Sequence, residues 1–227
     1  MAANIIKKPK AVKLRRAPKQ ERGVESRDKI LNGAQSILTE EGFSKFSMRR
    51  ISVASGVGLS TIYDYFPSKS SVLQTLLEER LKLRLQIFDR TIEANAHRVK
   101  LREFIDSYIE SMKKEGFWSH YDVALTKAAQ EDNDLKELLN WYDAETIDRY
   151  VRALKVAGSK WSDSDLKTVA VYLLSIWAQF GPDLESLNTS ADRELMEVLV
   201  RETFSIVLRK VLSSPKDGVR SKTESKL

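Results

Sequence analysis

Apolar side chains recur three to four residues apart along most of the chain, and no stretch of useful length alternates apolar and polar residues as a strand would. The first apolar stripe predicts a helix over about Glu25 to Glu41. Gly42 follows it, and glycine is the residue type favoured just past a helix C-terminus. The pattern predicts an all-α protein with about nine helices and no internal repeat.

The later stripes predict six longer helices. One follows Ser68, whose hydroxyl can cap it, and runs to about Glu93 as the connection between two domains. The others are expected at about Leu101 to Lys114, His120 to Gln130, Asp134 to Val156, Asp163 to Phe180 and Asp192 to Leu212. Ser162 and Thr189, each followed three residues later by Asp, are capping signals for the last two. Gly181 and Pro182 are expected to terminate the helix that begins at Asp163.

Two short amphipathic segments lie between Ser47 and Lys69 and flank Ser55, Gly56 and Val57. Ile51 and Ala54 give the first segment an inward face, and Ile62 and Phe66 give the second segment another. Gly56 lies where the chain must reverse, and Pro67 ends the second segment. This is the format of a DNA-reading helix-turn-helix.

The outward face of these segments is expected to carry hydroxyls, phenols and cations: Arg49, Ser60, Thr61, Tyr63, Tyr65 and Lys69. Such groups suit phosphate oxygens and base edges. Asp64 is left out because its carboxylate opposes phosphates. Ser47 is expected either to cap the first segment or to hold a phosphate there, and both roles stay open.

The run S-x-x-x-I-x-x-x-x-G-V-x-x-S-T-I-Y-x-Y-F-P-S-K, preceded by A-x-x-I-L-x-x-E-G-F from Ala34 to Phe43, resembles the N-terminal domain of the TetR family of transcriptional regulators. The resemblance covers roughly residues 25 to 80. It implies that Arg49, Ser60 and Thr61 contact bases or nearby phosphates. It also implies that Tyr63, Tyr65 and Lys69 hold the DNA backbone, although many relatives have histidine where Tyr65 stands.

The resemblance further implies a homodimer that pairs through its last two helices as a four-helix bundle on a palindromic double-stranded DNA operator. The interface candidates are Leu173, Ile176, Trp177, Val200, Phe204, Val207 and Leu208. The alternative is that these apolar stripes only cover the core of their own chain. The resemblance also implies a small-molecule effector, which the sequence does not identify. Rings with a polar edge suit such a pocket, and the candidates are Phe104, Tyr108, Trp118, Tyr121, Trp141 and Tyr142. For each ring alone, core packing is the alternative.

Charge is unevenly placed along the 227 residues. Up to Arg22 the chain has eight basic residues against Glu21, a net charge of +7, while the whole chain carries +6. We expect residues 1–22 to form a disordered basic arm. This arm either adds phosphate contacts or is a solubilising tail or expression remnant. Residues 23–70 are expected to form the DNA-binding domain, 71–212 the ligand-binding and dimerisation domain, and 213–227 a flexible tail.

Composition argues against other classes of function. There is no cysteine, and His97 and His120 are the histidines, so we expect no metal site, no cofactor and no enzyme. No apolar run approaches the ~18 residues of a membrane span, and no signal core follows the basic start. We therefore expect a cytoplasmic regulator, a repressor released by an inducer. The alternatives are a helix-turn-helix DNA-binding or protein-interaction regulator without a small-molecule switch, and an all-helical binding or enzymatic module whose N-terminal similarity is vestigial.

Overall fold

A computed structural model describes Pro9, residues 21–95 and residues 101–213. Within these ranges the chain has nine α-helices, one short 3-10 helix and no strand, which confirms the predicted all-α class. The α-helices are α1 Glu21–Glu40, α2 Met48–Ser55, α3 Leu59–Tyr65, α4 Lys69–Asn95, α5 Leu101–Lys114, α6 His120–Glu131, α7 Asn133–Val156, α8 Asp163–Ser186 and α9 Ser190–Ser213, and the 3-10 helix is Phe43–Lys45. Most of the predicted arm, His97 and the tail after Ser213 lie outside the described residues.

Four helices begin where a hydroxyl side chain was expected to cap them. The Ser47 hydroxyl accepts from the Arg50 amide at 3.3 Å, and the Ser68 hydroxyl accepts from the Ser71 amide at 3.1 Å. Ser162 and Thr189 cap α8 and α9 in the same way, each at 3.1 Å from the amide three residues on. Each hydroxyl satisfies a backbone N–H that has no partner inside its helix.

The predicted end of α8 at Gly181 and Pro182 is wrong, because the helix continues through both residues to Ser186. Phe180 is 2% exposed and Gly181 is also buried. Burying these positions keeps the last turns helical, although Pro182 has no N–H to donate to the carbonyl four residues before it. Tertiary packing here overrides the local preference of proline.

The chain divides into two compact units. The first comprises the described residues from Glu21 to Arg84 together with Phe117–Tyr142. Within it α1 packs on α2, and α6 packs on both α1 and the 3-10 helix. The guanidinium of Arg80 donates to both carboxylate oxygens of Asp122, at 2.6 and 2.9 Å, and lies 3.5 Å from the centre of the Phe117 ring. By its packing α6 groups with the helix-turn-helix. The domain boundary expected at residues 70 and 71 stays a prediction.

The second unit comprises the described residues of 85–116 and those from Asp143 to Ser213. Its core holds a chain of aromatic rings in which Tyr108 and Phe204 both pack against Trp177, with ring centres 5.5 and 4.7 Å away. The Trp177 indole donates to the Tyr150 hydroxyl at 3.1 Å. Arg201 of α9 binds Asp106 of α5 at 2.5 Å, so an ion pair joins these two helices. Across the described ranges no helix is long and apolar enough to cross a membrane.

Candidate nucleic-acid interface

The buried faces of α2 and α3 fix the orientation of the helix-turn-helix. α2 buries Met48 and Ile51, and α3 buries Ile62 and Tyr65. The prediction that Ala54 faces inward is wrong, since Ala54 is exposed and Met48 occupies the inward position one turn earlier. Burying a methionine removes more apolar surface from water than burying an alanine, which favours this orientation of α2.

The turn between α2 and α3 is held by side chains of α2. Gly56 adopts φ 67° and ψ 12°, in the left-handed region where a Cβ is unfavourable. The Ser52 hydroxyl donates to the Val57 carbonyl at 2.7 Å, and the Ser55 hydroxyl accepts from the Val57 amide at 3.2 Å. These bonds restrict the backbone that connects the two helices.

Gly33 of α1 is a structural residue that the sequence analysis missed. A Cβ at this position would lie 2.8 Å from the Ser55 backbone nitrogen and 2.9 Å from the Ser55 Cβ. Glycine therefore permits the close approach of α1 to the end of α2. The signal was available, because Gly33 lies within the apolar stripe of α1 between Ile30 and Ile37.

Arg49, Ser60 and Tyr63 are exposed on α2 and α3, and Thr61 is half-buried. Within the described part of the chain, no hydrogen-bond or ion-pair partner engages the side chain of Arg49 or Ser60. The neighbouring Arg50, by contrast, is paired with Glu41. An unpaired guanidinium keeps all its donors for another molecule.

Lys69 and Ser47 lie at the first turns of two helices. The Lys69 ammonium is 4.7 Å from the centre of the Phe43 ring, which positions it at the start of α4. The Ser47 hydroxyl accepts from Arg50 and still has its own hydrogen to donate. The capping role of Ser47 is thus observed, and a phosphate contact by the same hydroxyl stays a prediction.

The prediction that Tyr65 faces outward is wrong. Its side chain is 5% exposed and lies three residues after Ile62, on the same buried face of α3. Tyr65 therefore supports the core beneath the reading helix, and we remove it from the proposed contacts. Asp64 is exposed on α3, and its carboxylate is the acidic group that this helix presents to solvent.

The six ring residues expected to line an effector pocket fall into both units. Trp118, Tyr121, Trp141 and Tyr142 belong to the first unit, and Phe104 and Tyr108 to the second. Tyr108, Tyr121 and Tyr142 are buried. Burial raises the pKa of the Tyr121 phenol, so this ring stays neutral. Their role in binding a ligand stays a prediction.

The seven interface candidates all lie on α8 and α9 of the second unit. Five of them are buried within the chain itself, namely Leu173, Trp177, Val200, Phe204 and Leu208. Ile176 and Val207 are half-buried. The exposed apolar residues on the same two helices are a different set: Val171, Tyr172, Leu195, Val198, Leu199 and Ile206. Among the described residues no cluster of acidic or histidine side chains could hold a metal ion.

Comparison with known families identifies the same region of the chain, the helix-turn-helix, as a DNA-regulatory domain. The family described as bacterial regulatory proteins, tetR family, matches residues 30–76, which run from α1 into α4. Over these residues the chain is similar to the TetR family. The match covers α2, the turn and α3 completely.

Two TetR-family relatives match over the same end of the chain. The HTH-type transcriptional regulator UidR of Escherichia coli K12 is 30% identical over 87 residues, which is 38% of this chain and 41% of UidR. The HTH-type transcriptional regulator EthR of Mycolicibacterium smegmatis is 34% identical over 65 residues, 29% of this chain and 30% of EthR. The chain thus spans less than half the length of these curated relatives.

Solved TetR-like structures match over most of the chain. A TetR-family transcriptional regulator from Syntrophomonas wolfei has a TM-score of 0.62 at 20% identity, covering 84% of this chain and 98% of its own. A transcriptional regulator from Saccharomonospora viridis, solved in complex with choline, has a TM-score of 0.63 at 17% identity, with 80% and 96% covered. At these identities the likeness shows the fold.

Proposed function

We propose that this chain is a homodimeric, sequence-specific DNA-binding transcriptional regulator. In this proposal it represses transcription from a palindromic operator and is released by a small molecule bound in the domain expected at residues 71–212. The observation that carries the DNA-binding part is the exposed face of the helix-turn-helix, where Ser60 and Tyr63 are open to solvent and Arg49 has no partner among the residues that the structure describes. The names of UidR and EthR, both HTH-type transcriptional regulators, support the same function.

Each exposed group has a role that follows from its chemistry. With α3 in the major groove, Ser60 and Thr61 at its N-terminal end reach base edges. Arg49 is the natural bidentate partner of guanine and is our candidate for base discrimination. Lys69 combines an ammonium with the free backbone amides at the start of α4 and holds a phosphate. Tyr63 donates its phenol hydrogen to the DNA backbone.

The test compares Arg49→Ala with Lys69→Ala on a preferred duplex and on a scrambled one. The preferred duplex is the sequence recovered when the protein selects the fragments that it binds from genomic DNA. Arg49→Ala is expected to lose about 1 to 3 kcal/mol chiefly on the preferred duplex, and Lys69→Ala to weaken both and lower the salt slope by about one. The matched control is Lys82→Ala, because Lys82 is paired with Glu78 and lies about 20 Å further along α4 than Lys69.

Three outcomes would contradict the assignment. Equal losses on both duplexes would remove Arg49 as a base reader. If Lys82→Ala weakened DNA binding as much as Lys69→Ala, the loss would reflect the net charge of the protein rather than a phosphate contact by Lys69. Unchanged binding in the Arg49→Ala, Lys69→Ala double variant would favour a vestigial helix-turn-helix.

The support for a homodimer is apolar surface on the last two helices. Leu195 is 57% exposed and Ile206 is 65% exposed, and Tyr172 of α8 is half exposed. A monomer would leave this surface in water, whereas the same surface on a second copy would cover it. Because most of the initial interface candidates are buried in the chain itself, we assign the interface to the exposed set together with Ile176 and Val207.

Sedimentation velocity on the Leu195→Asp, Ile206→Asp double variant tests the dimer. We expect a folded monomer with weakened binding to the palindrome, because each copy carries a single reading head. Val156→Asp is the control, since Val156 is 82% exposed but lies at the end of α7. A dimer that survives the double variant, or one that Val156→Asp disrupts equally, would contradict the interface.

The effector part of the proposal draws on other proteins of this fold. One structural neighbour was solved with choline, and another is described as the flavonoid-responsive regulator FrrA, with a TM-score of 0.51 at 22% identity. A molecule that binds one conformation better than the other shifts the population away from DNA. Mobility shifts that no member of a metabolite library alters would favour the alternative, a DNA-binding regulator without a small-molecule switch.

A further inference from the structure

A groove with a volume of about 280 Å³ lies in the second unit between the end of α4 and the length of α5. None of the six ring residues predicted to bind an effector lines it. Its chemistry is polar and cationic, and the residues that matter are Arg90 on α4 with Ser107, Ser111, Lys114 and Glu115 on α5.

Arg90 and Lys114 are two cations without a partner in the described part of the fold. Both side chains are exposed, and in the described ranges neither has a hydrogen bond, an ion pair or a ring contact. The neighbouring Lys113 is different, because it binds Glu197 of α9 at 3.0 Å. Glu115 also lines the groove, so the cations exceed the carboxylates by one. The groove therefore has a net positive charge available to a ligand.

Ser107 and Ser111 place two hydroxyl groups along the same groove. They lie four residues apart on α5, with Lys114 three residues further on, so all three share one face of the helix. Several helical threonines of this structure donate to a carbonyl of the preceding turn, as Thr75 does to Ser71 at 2.9 Å and Thr91 does to Ile87 at 2.8 Å. Of the residues the structure describes, none bonds to the Ser107 or Ser111 side chain. Both hydroxyls are free to donate.

The groove also has an apolar part. Ile87 lines it and is 4% exposed, so its side chain forms a floor rather than a rim. A compact oxyanion bonded by cations and hydroxyls, attached to a small apolar body over Ile87, matches this distribution. Arginine binds two oxygens of a planar carboxylate or phosphate, and lysine adds a point charge.

We propose that this groove is a binding site for a small organic anion, a carboxylate or phosphate carried on a body of about one ring. Arg90 and Lys114 neutralise the oxyanion, Ser107 and Ser111 donate to its oxygens, and the ring rests on Ile87. The binding is measured on the protein without DNA. Its failure therefore leaves the proposed function untouched, and a failure of DNA binding leaves this site untouched.

Calorimetric titration with benzoate and phenyl phosphate tests the site, and benzamide is the neutral molecule of matched shape. We expect either anion to bind at least tenfold more tightly than benzamide. Arg90→Gln and Lys114→Gln should each weaken anion binding about tenfold, the size expected for a charge-assisted hydrogen bond. Ser111→Ala should weaken it severalfold without changing the net charge.

The matched control is Lys113→Gln, which removes the same charge one residue away from a lysine already paired with Glu197. It should leave anion binding within about twofold of the unmodified chain, as expected for an exposed pair outside the groove. The proposal is overturned if neither anion binds at about 10 mM, or if benzamide binds as well. An effect of Lys113→Gln equal to that of Lys114→Gln would reduce any binding to general attraction by net charge and would overturn the site as well.

Discussion

Glycine can be required at a position because a Cβ has no space there or because the backbone is left-handed. Three glycines in and beside the helix-turn-helix distinguish these two requirements. Gly33 has no room, because an added Cβ would lie 2.8 to 3.0 Å from three atoms of Ser55, two of them backbone. Gly56 has room, with nothing within 4 Å, but adopts φ 67°. Gly58 has an ordinary φ of −57°, and the nearest atom to an added Cβ is the Thr61 hydroxyl oxygen at 3.9 Å.

The magnitudes follow from these environments. Gly33→Ala forces α1 away from α2 and should cost about 1 to 3 kcal/mol of unfolding free energy, the range for overpacking. Gly56→Ala should cost about 1 to 2 kcal/mol, the penalty for a Cβ in the left-handed region. Gly58→Ser is the control and should change stability by a few tenths of a kcal/mol, because serine replaces glycine at a helix N-cap with little effect.

Asparagine substitutions should move the stabilities of the first two sites in opposite directions. Asn tolerates the left-handed region better than Ala, so Gly56→Asn should recover part of the loss, whereas the larger side chain of Gly33→Asn should cost more than Gly33→Ala. Urea unfolding followed by circular dichroism, with linear extrapolation to water, gives each free energy. A Gly33→Ala variant as stable as the unmodified chain, or a Gly56→Asn variant less stable than Gly56→Ala, would refute the reasoning.

Three further substitutions test the packing of each unit. Asp122→Asn removes the charge that accepts two hydrogen bonds from the half-buried Arg80 and should lower the free energy of unfolding in urea by about 1 to 3 kcal/mol. A loss below about 0.5 kcal/mol is the value for an exposed ion pair and would contradict this prediction. Tyr150→Phe leaves the buried Trp177 indole N–H without its acceptor and should cost a similar amount, about 1 to 3 kcal/mol, while a neutral result would mean that another group takes its place. Pro182→Ala restores a backbone donor inside α8 and should raise the free energy of unfolding by up to about 3 kcal/mol, which a thermal melt would detect as a higher midpoint temperature. A lower midpoint temperature would show that proline suits this turn.

Helical periodicity predicted the elements of this fold well because the apolar stripes are long. α5 was placed at its observed limits, and α4, α6, α7 and α9 within one or two residues at each end. The errors fell where a local rule competed with packing. The preference of proline predicts that α8 ends at Pro182, yet the helix continues past this half-buried residue. The apolar spacing predicts an inward Ala54, yet Ala54 is exposed and Met48 is buried. Neither outcome follows from residue type alone, because both depend on which side chains the rest of the chain covers.

Functional residues are harder to predict than core residues because their availability depends on pairing across the fold. Arg49 and Arg50 are adjacent and alike in sequence, yet Arg50 is paired with Glu41 whereas Arg49 has no partner among the described side chains. Lys113 and Lys114 repeat the pattern, since Glu197, 84 residues away, holds Lys113 and leaves Lys114 to the groove. In each pair, a cation that is ion-paired within the described residues can be compared with one that is not, and substituting either one changes the net charge equally.

The arginine pair gives a prediction for DNA binding. On a preferred duplex, Arg50→Gln should weaken binding less than Arg49→Gln, because Arg50 must first leave Glu41 to reach DNA. Equal losses in a salt titration would show that net charge, rather than pairing in the fold, selects the residues that contact DNA.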